Sequence, residues 1–208
     1  RSYITLTLLV TISMLFLGCG FEGQKLEQQV FRYNEFRNIT SLDPAFARNP
    51  QNIWPIQQLF NGLVQLDDSL NIQPEIARRW EISSEGTIYT FFLREDVYFH
   101  DSPVFGSAKS RTVTAEDFVF SFDRLQDDQT SSPGGWVLQN VKAYTALDQH
   151  TLQIELKQAL PAFLGLLTMR YCAVVPHEGI AYFKEDFRAN PIGTGPFQFK
   201  KWEEDVKL

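Results

Sequence analysis

Apolar residues recur along this chain at several distinct periods, and each period predicts a different element. Ile4 to Leu17 is almost continuously apolar. That run falls short of the roughly 20 residues a membrane-spanning helix needs. Val30-Phe31-Arg32-Tyr33-Asn34 alternates and predicts a strand. Ser41-Leu42-Asp43-Pro44 turns the chain, and Asn49-Pro50-Gln51-Asn52 makes a loop. Asn52 is placed to cap a helix with Pro55 in its first turn. Ile53, Ile56, Phe60 and Leu63 follow at helical spacing, extending that helix to about Gly62. Asp67-Asp68-Ser69 is a turn signal.

Thr87, Tyr89, Phe91 and Leu93 alternate with Ile88, Thr90 and Phe92. Both faces are largely apolar, which predicts a strand covered on both sides. Val97-Tyr98-Phe99 is expected to continue the sheet. Thr114 begins a helix with Asp117 three residues on, close to a capping box, and Phe118, Phe122 and Leu125 form its buried face. Asp127 to Gly135 is polar, with Gly and Pro, and predicts a loop. Val141 to Leu147, a turn at Asp148-Gln149-His150, and Thr151 to Leu156 predict a β-hairpin. Its Leu152, Ile154 and Leu156 face inward, and Gln153 and Glu155 face water. Pro161 opens a short helix through Phe163, Leu164, Leu166 and Leu167. Alternating strands and helices class the chain as α/β.

The apolar N-terminal run follows Arg1 and ends in Leu17-Gly18-Cys19-Gly20. A short apolar run behind a positive charge, closed by small residues, is the pattern of a secretory signal. Its end resembles a bacterial lipobox, with Phe16 where Leu is usual, and predicts lipidation of Cys19. An ordinary secretory signal with no special role for Cys19 is the alternative. If Cys19 is lipidated, Cys172 has no disulfide partner. Its setting in Tyr171-Cys172-Ala173-Val174-Val175 makes it a small buried hydrophobe, whereas a Cys19–Cys172 bridge would require the N-terminus to fold back. Gln24 to Gln29 is polar, as a stalk would be. Arg1 in place of Met, and a last residue inside a strand-like stretch, lead to the expectation of a longer natural chain. About 190 residues remain after the signal, enough for one or two domains. A net charge of −6 argues against a nucleic-acid surface, which carries a basic stripe. Eighteen Phe and four Trp are enough to line a core or a cleft.

Candidate chemistry is sparse. Gly193-Thr194-Gly195 has the small residues of a phosphate loop but lacks the Gly-Lys-Ser/Thr ending, and Pro196 stands where a helix N-terminus would donate amides. A tight turn before a strand Phe197-Gln198-Phe199 is expected instead. His100, His150 and His177 show no metal-ligand spacing, so no metal site is expected. His100-Asp101 has the residue types of a base and its orienting partner. No Gly-x-Ser-x-Gly elbow supplies a nucleophile, so the pair is expected as a capped turn at the end of the sheet. Glu116 and Asp117 point in different directions on a helix start and suit the helix dipole better than acid–base work. Asp67-Asp68 and Asp127-Asp128 are expected in solvated turns. Trp54 is expected in the core rather than a cleft. Trp136 lies behind Ser132-Pro133-Gly134-Gly135 in a loop and is a candidate to face a ligand. No cluster among these residues reads as an active site, so neither an enzyme nor a cofactor is expected.

Two blocks carry a resemblance. The first is Pro74, Ala77, Trp80-Glu81, Tyr89-Thr90-Phe91, Leu93-Arg94, Val97, Phe99-His100-Asp101 and Thr114-Ala115-Glu116-Asp117-Phe118-Val119-Phe120-Ser121. The second is Pro191-Ile192-Gly193-Thr194-Gly195-Pro196-Phe197. In that order, from about Val30 to Trp202, the chain resembles the family 5 extracytoplasmic solute-binding proteins of peptide ABC importers, the oligopeptide- and dipeptide-binding proteins. The resemblance implies a periplasmic-binding-protein-like fold of type II, with two lobes around a deep cleft. It implies a signal peptide with lipobox at 1–19, a linker at 20–29, the first lobe at 30–60 and 176–208, and an inserted domain at 61–175. The second lobe is then absent from this chain.

The same resemblance implies that a peptide lies in the cleft as an extended strand, with affinity from backbone hydrogen bonds and side chains in roomy pockets. The contacting loop would be Ala47-Arg48-Asn49-Pro50. An aromatic that follows a Ser-Pro pair in the family is Gly134 here, so that contact is lost or taken over by Trp136. Trp80 and Trp202 fall in packing positions. Ser102 to Arg111 lengthens a loop that is short in the family and is expected on the surface outside the cleft. The implied partners are a peptide ligand, an ABC permease with its ATPase subunits, and the membrane through the lipid anchor. The implied receptor is a monomer outside the cytoplasm. Relatives with the same fold bind nickel chelates, haem or oligosaccharides, and a chaperone-like surface protein could keep the scaffold without transport.

Overall fold

The computed structural model describes residues 37–203, all within one unit, Glu35–Leu208. The expected strand at Val30–Asn34, the signal with Cys19 and the 20–29 stalk lie outside the described residues. Asp43 ends the first turn by accepting a hydrogen bond from the Ala45 N–H at 3.0 Å, starting a 3-10 turn over Pro44–Phe46. Helix α1 spans Pro50–Leu59. It begins earlier than expected, because Asn49 holds the cap position and Pro50 the first helical one, where a missing N–H costs nothing. Asn52 lies inside the helix and is buried; its side chain accepts from the Thr40 N–H at 3.0 Å and donates to Thr40 Oγ1 at 2.9 Å. The helix also stops short of Gly62. The N–H groups of Gly195 and Phe197 donate to Leu59 O and Gln58 O, at 2.9 and 3.1 Å, so its last carbonyls are taken by a remote segment.

Strands β1 (Val64–Leu66) and β2 (Ile72–Pro74) form a short antiparallel hairpin. Asp67 closes its turn by accepting from the N–H groups of Ser69 and Asn71. Strands β3 (Ala77–Ile82), β4 (Ile88–Leu93), β5 (Val141–Asp148) and β6 (Thr151–Leu156) make a second sheet in the order β3-β4-β6-β5. Every pair in it is antiparallel, with Tyr89 opposite Ile154 and Phe91 opposite Leu152. The inward residues of β4 and β6 are fully buried, as the alternation predicts. The second face of β4 is not covered by another layer. Ile88, Thr90 and Phe92 are half-buried there, and the Arg79 guanidinium lies 3.5 Å from the centre of the Phe92 ring. The apolar stem and flat cation of a neighbouring arginine thus do the covering that a buried sheet would need from a helix.

Helix α2 (Ala115–Gln126) has the expected capping box between Thr114 and Asp117 and buries Phe118, Phe122 and Leu125. Val97–Phe99 does not join the sheet. Tyr98 pairs only with Thr112, in an isolated bridge just before α2. Helices α3 (Phe163–Leu167) and α4 (His177–Phe183) follow. The core is rich in phenylalanine: Phe60, Phe91, Phe99, Phe118, Phe122, Phe163 and Phe187 are fully buried. Tyr89 and Phe163 meet edge to face at 5.0 Å. Cys172 is buried as expected, and burial pushes its thiol up to about 12. Trp80 and Trp202 pack against the core, but Trp54 is exposed on the surface of α1, contrary to expectation. Phe197–Phe199 forms no strand. Among the described residues no helix is long and apolar enough to cross a membrane.

Candidate functional site

An open cavity of about 810 Å³ lies where three parts of the chain converge. One wall is the segment from Thr40 through the first turn of α1, including Asp43, Phe46, Arg48 and Asn49. A second is Arg124 at the end of α2 with the loop from Asp127 to Pro133. The third is Ile180 of α4 with Lys184, Glu185 and Arg188 beyond it. The Leu42 N–H donates to Arg188 O at 2.9 Å, which holds the first and third walls together. Arg124 grips Asp43 with two hydrogen bonds, at 2.7 and 3.1 Å, and joins the first wall to the second. Ser132 Oγ donates to Ala45 O at 2.6 Å and reinforces the same junction.

Charge in this cavity is distributed unevenly. The Asp43 and Arg124 charges are spent on each other. Asp127 is turned into its own loop, where it accepts from the N–H groups of Gln129 and Thr130 and from Thr130 Oγ1. The hydrogen bond from Gln129, helped by Thr130, holds this exposed carboxyl below the usual carboxylate range. Burial raises the Tyr171 hydroxyl, and the positive charge of Arg48 pulls it back.

The predicted site residues separate in space. Arg48 and Asn49 line the cavity. Ala47 is buried behind them, and Pro50 is exposed at the start of α1 outside the lining. Gly134 is buried against Tyr171; a Cβ there would meet that ring at 2.4 Å. Its neighbour Pro133 reaches the cavity, whereas Trp136, half-exposed in the 3-10 turn Gly135–Leu138, does not. Asp43, Arg124, Lys184 and Arg188 were not singled out by sequence. Arg124 and Asp43 are 81 residues apart, and no local pattern announces such a pair.

The other candidates resolve into structure. His100 Nε2 donates to Gly195 O at 2.8 Å, and the His100 N–H donates to Gly193 O at 2.7 Å. Thr194 Oγ1 donates to Asn61 Oδ1 at 3.0 Å. A Cβ on Gly193 or Gly195 would lie 1.8 Å from Leu59 O or 2.4 Å from Gln58 O. The Gly-Thr-Gly segment is therefore a close-packed clamp on the end of α1. Asp117 caps α2 and shares Arg111 with Glu178, each carboxylate taking two hydrogen bonds of 2.6 to 2.8 Å. The long loop forms 3-10 turns over Pro103–Ala108 and contributes nothing to the cavity lining. Among the described residues no three potential metal ligands cluster. What the cavity offers is hydrogen-bonding groups and charge facing an open volume.

The model of the family described as bacterial extracellular solute-binding proteins, family 5 Middle, matches residues 71–208. The probable deoxycholate-binding periplasmic protein YgiS of Escherichia coli (strain K12) is 32% identical over 200 residues, covering 87% of this chain and 36% of that protein. The dipeptide-binding protein of Escherichia coli (strain K12) is 32% identical over 167 residues, covering 72% of this chain and 31% of that protein. Among solved structures, the periplasmic binding protein DppA from Helicobacter pylori, in complex with the peptide STSA, superposes with a TM-score of 0.72 at 29% identity. It covers 81% of this chain and 36% of that one. The chain thus spans about a third of the length of the curated relatives it matches.

Proposed function

The chain belongs to the bacterial extracellular solute-binding proteins of family 5, and from that premise we propose that it is part of the peptide-capturing subunit of an ABC importer. Such a receptor closes two lobes around its ligand by hinge motion. The closed form then presents the permease with a surface that the open form lacks. The observation that carries the reading is the cavity at the 47–50 loop, where Arg48 and Asn49 face open volume beside the end of α2. The likeness to peptide-binding relatives supports peptide as the solute.

In this reading residues 37–60 and 176–203 belong to the first lobe. They meet each other through the Leu42–Arg188 and Gly195–Leu59 hydrogen bonds. Residues 61–175, which contain both described sheets, are the inserted domain. Arg48, Asn49 and the neighbouring Ala47 and Pro50 form the ligand loop; Gly134 and Trp136, outside the cavity lining, would reach a ligand only if the 127–138 segment moved. Cys19 carries the lipid that holds a monomeric receptor to the membrane outside the cytoplasm. A lipobox Cys that receives more than one acyl chain anchors firmly. A second reading, a non-peptide solute in the same cleft, is favoured by the 32% identity to a relative named for deoxycholate.

Native mass spectrometry of the natural full-length protein tests the choice. Co-purified masses that fragment into short peptides of mixed sequence support the peptide reading. A single non-peptide mass moves the assignment to the second.

A further inference from the structure

We propose that the cavity selects ligands that present a carboxylate, and that Arg48 is the residue that receives it. The inference rests on the peptide-capture reading and specifies which peptides are preferred. Four cations line the cavity against three carboxylates, in a chain whose net charge is −6. Two of these cations are committed elsewhere. Arg124 is locked to Asp43, and the Arg188 guanidinium sits 5.8 Å from the centre of the Trp202 ring. Arg48 and Lys184 are not committed. Among the described residues neither side chain makes an ion pair or a hydrogen bond, and both are exposed.

Of the two, Arg48 is better suited to capture. It stands on the short segment between the Pro44–Phe46 turn and α1, and both ends of that segment are fixed. Ala47, just before it, is buried and anchors the backbone. A guanidinium presents paired donors that match the two oxygens of a carboxylate. Lys184, a flexible point charge on the opposite wall, adds attraction without geometry. On the ligand, the carboxylate can be an acidic side chain or the peptide's own C-terminus. The chemistry at Arg48 is the same for both.

Calorimetry on the natural full-length protein separates these sources. The probes are the tripeptides Ala-Glu-Ala, Ala-Gln-Ala and Ala-Lys-Ala, each as free acid and as C-terminal amide. Loss of one charge-assisted hydrogen-bonded pair is expected to weaken binding at least about tenfold. If a side chain is received, the Glu peptide binds that much more tightly than the Gln peptide. If the C-terminus is received, amidation costs that factor whatever the central residue. In either case Arg48→Gln removes the advantage and Arg48→Glu reverses it. The melting temperature stays where it was, because the Arg48 side chain makes no hydrogen bond or ion pair among the described residues and acts on Tyr171 only through its charge. Equal affinities for acid and amide, and for Glu and Gln, would overturn the inference while leaving peptide capture standing. An advantage that survives Arg48→Gln would overturn the assignment to Arg48. Absence of binding by every peptide would sink the capture reading itself, and this inference with it.

Discussion

Arg124 and Asp43 meet through two parallel hydrogen bonds, at 2.7 and 3.1 Å, although 81 residues separate them. Their side chains are only 14% and 5% exposed. The pair fixes the turn before the 47–50 loop against the end of α2, so the position of the loop depends on it. Arg124→Ala would leave a buried carboxylate without its cation and should cost about 3 kcal/mol in urea unfolding. Asp43→Asn combined with Arg124→Met should recover part of that loss, because no unpaired charge remains. A single variant as stable as the parent would mean the pair does not hold the wall.

The glycine clamp gives a sharper steric prediction. Gly193→Ala places a Cβ within 1.8 Å of a backbone carbonyl that cannot swing aside. Destabilisation of about 1–3 kcal/mol is expected, as for other overpacked sites. Gly165→Ala, in the middle of α3 with nothing within 4 Å of the new methyl, is the control. It should stabilise by up to about 1 kcal/mol through helix propensity. Thermal melts of the two variants should move in opposite directions.

Glu178 should contribute an acid-sensitive step. Burial works to raise its carboxyl, but the hydrogen bonds from Arg111 outweigh it and hold the group below its ordinary value of 4.5. A carboxyl depressed on folding stabilises fully above its unfolded value, and that stability is lost as pH falls through the folded one. Melting temperatures should therefore fall as pH drops below about 4.5. Arg111→Met should make that decline shallower. An unchanged slope in the variant would rule out the Arg111–Glu178 contact as its source.

His100 acts in a higher window. Burial lowers the pKa of its ring, against the opposing pull of the Gly195 carbonyl and Asp101. Its Nδ1 is buried without a partner, so an added proton would find no acceptor. A base depressed on folding leaves the unfolded chain holding more protons below its ordinary value of 6.5. Stability should be complete above that pH and decline as pH falls toward the folded value. His100→Gln should remove this part of the decline. Identical pH profiles for parent and variant would contradict it.

The elements legible in the sequence are those whose signals are local. Thr114 with Asp117 announced the start of α2, and the alternation in Thr151 to Leu156 announced β6. The start of α1 is ambiguous in the sequence because Asn52 and Asn49 are both residue types that suit a cap. The proline directly after Asn49 decides between them, and Asn52 turns to Thr40 instead. The second face of β4 looked like a buried face because Phe92 is apolar. Its cover is Arg79 from the paired strand β3, which no periodicity encodes. Of the cavity, Arg48 and Asn49 could be reached only through the family resemblance. Asp43, Arg124, Lys184 and Arg188 come together by tertiary packing, so nothing in their own neighbourhoods marks them.

Solute capture is tested most directly by titrating the natural full-length protein, by calorimetry, with a mixture of di- to pentapeptides and separately with deoxycholate. The account predicts saturable micromolar or tighter binding of peptides and no saturable binding of the bile acid. Saturable binding of deoxycholate with none of peptides would contradict it.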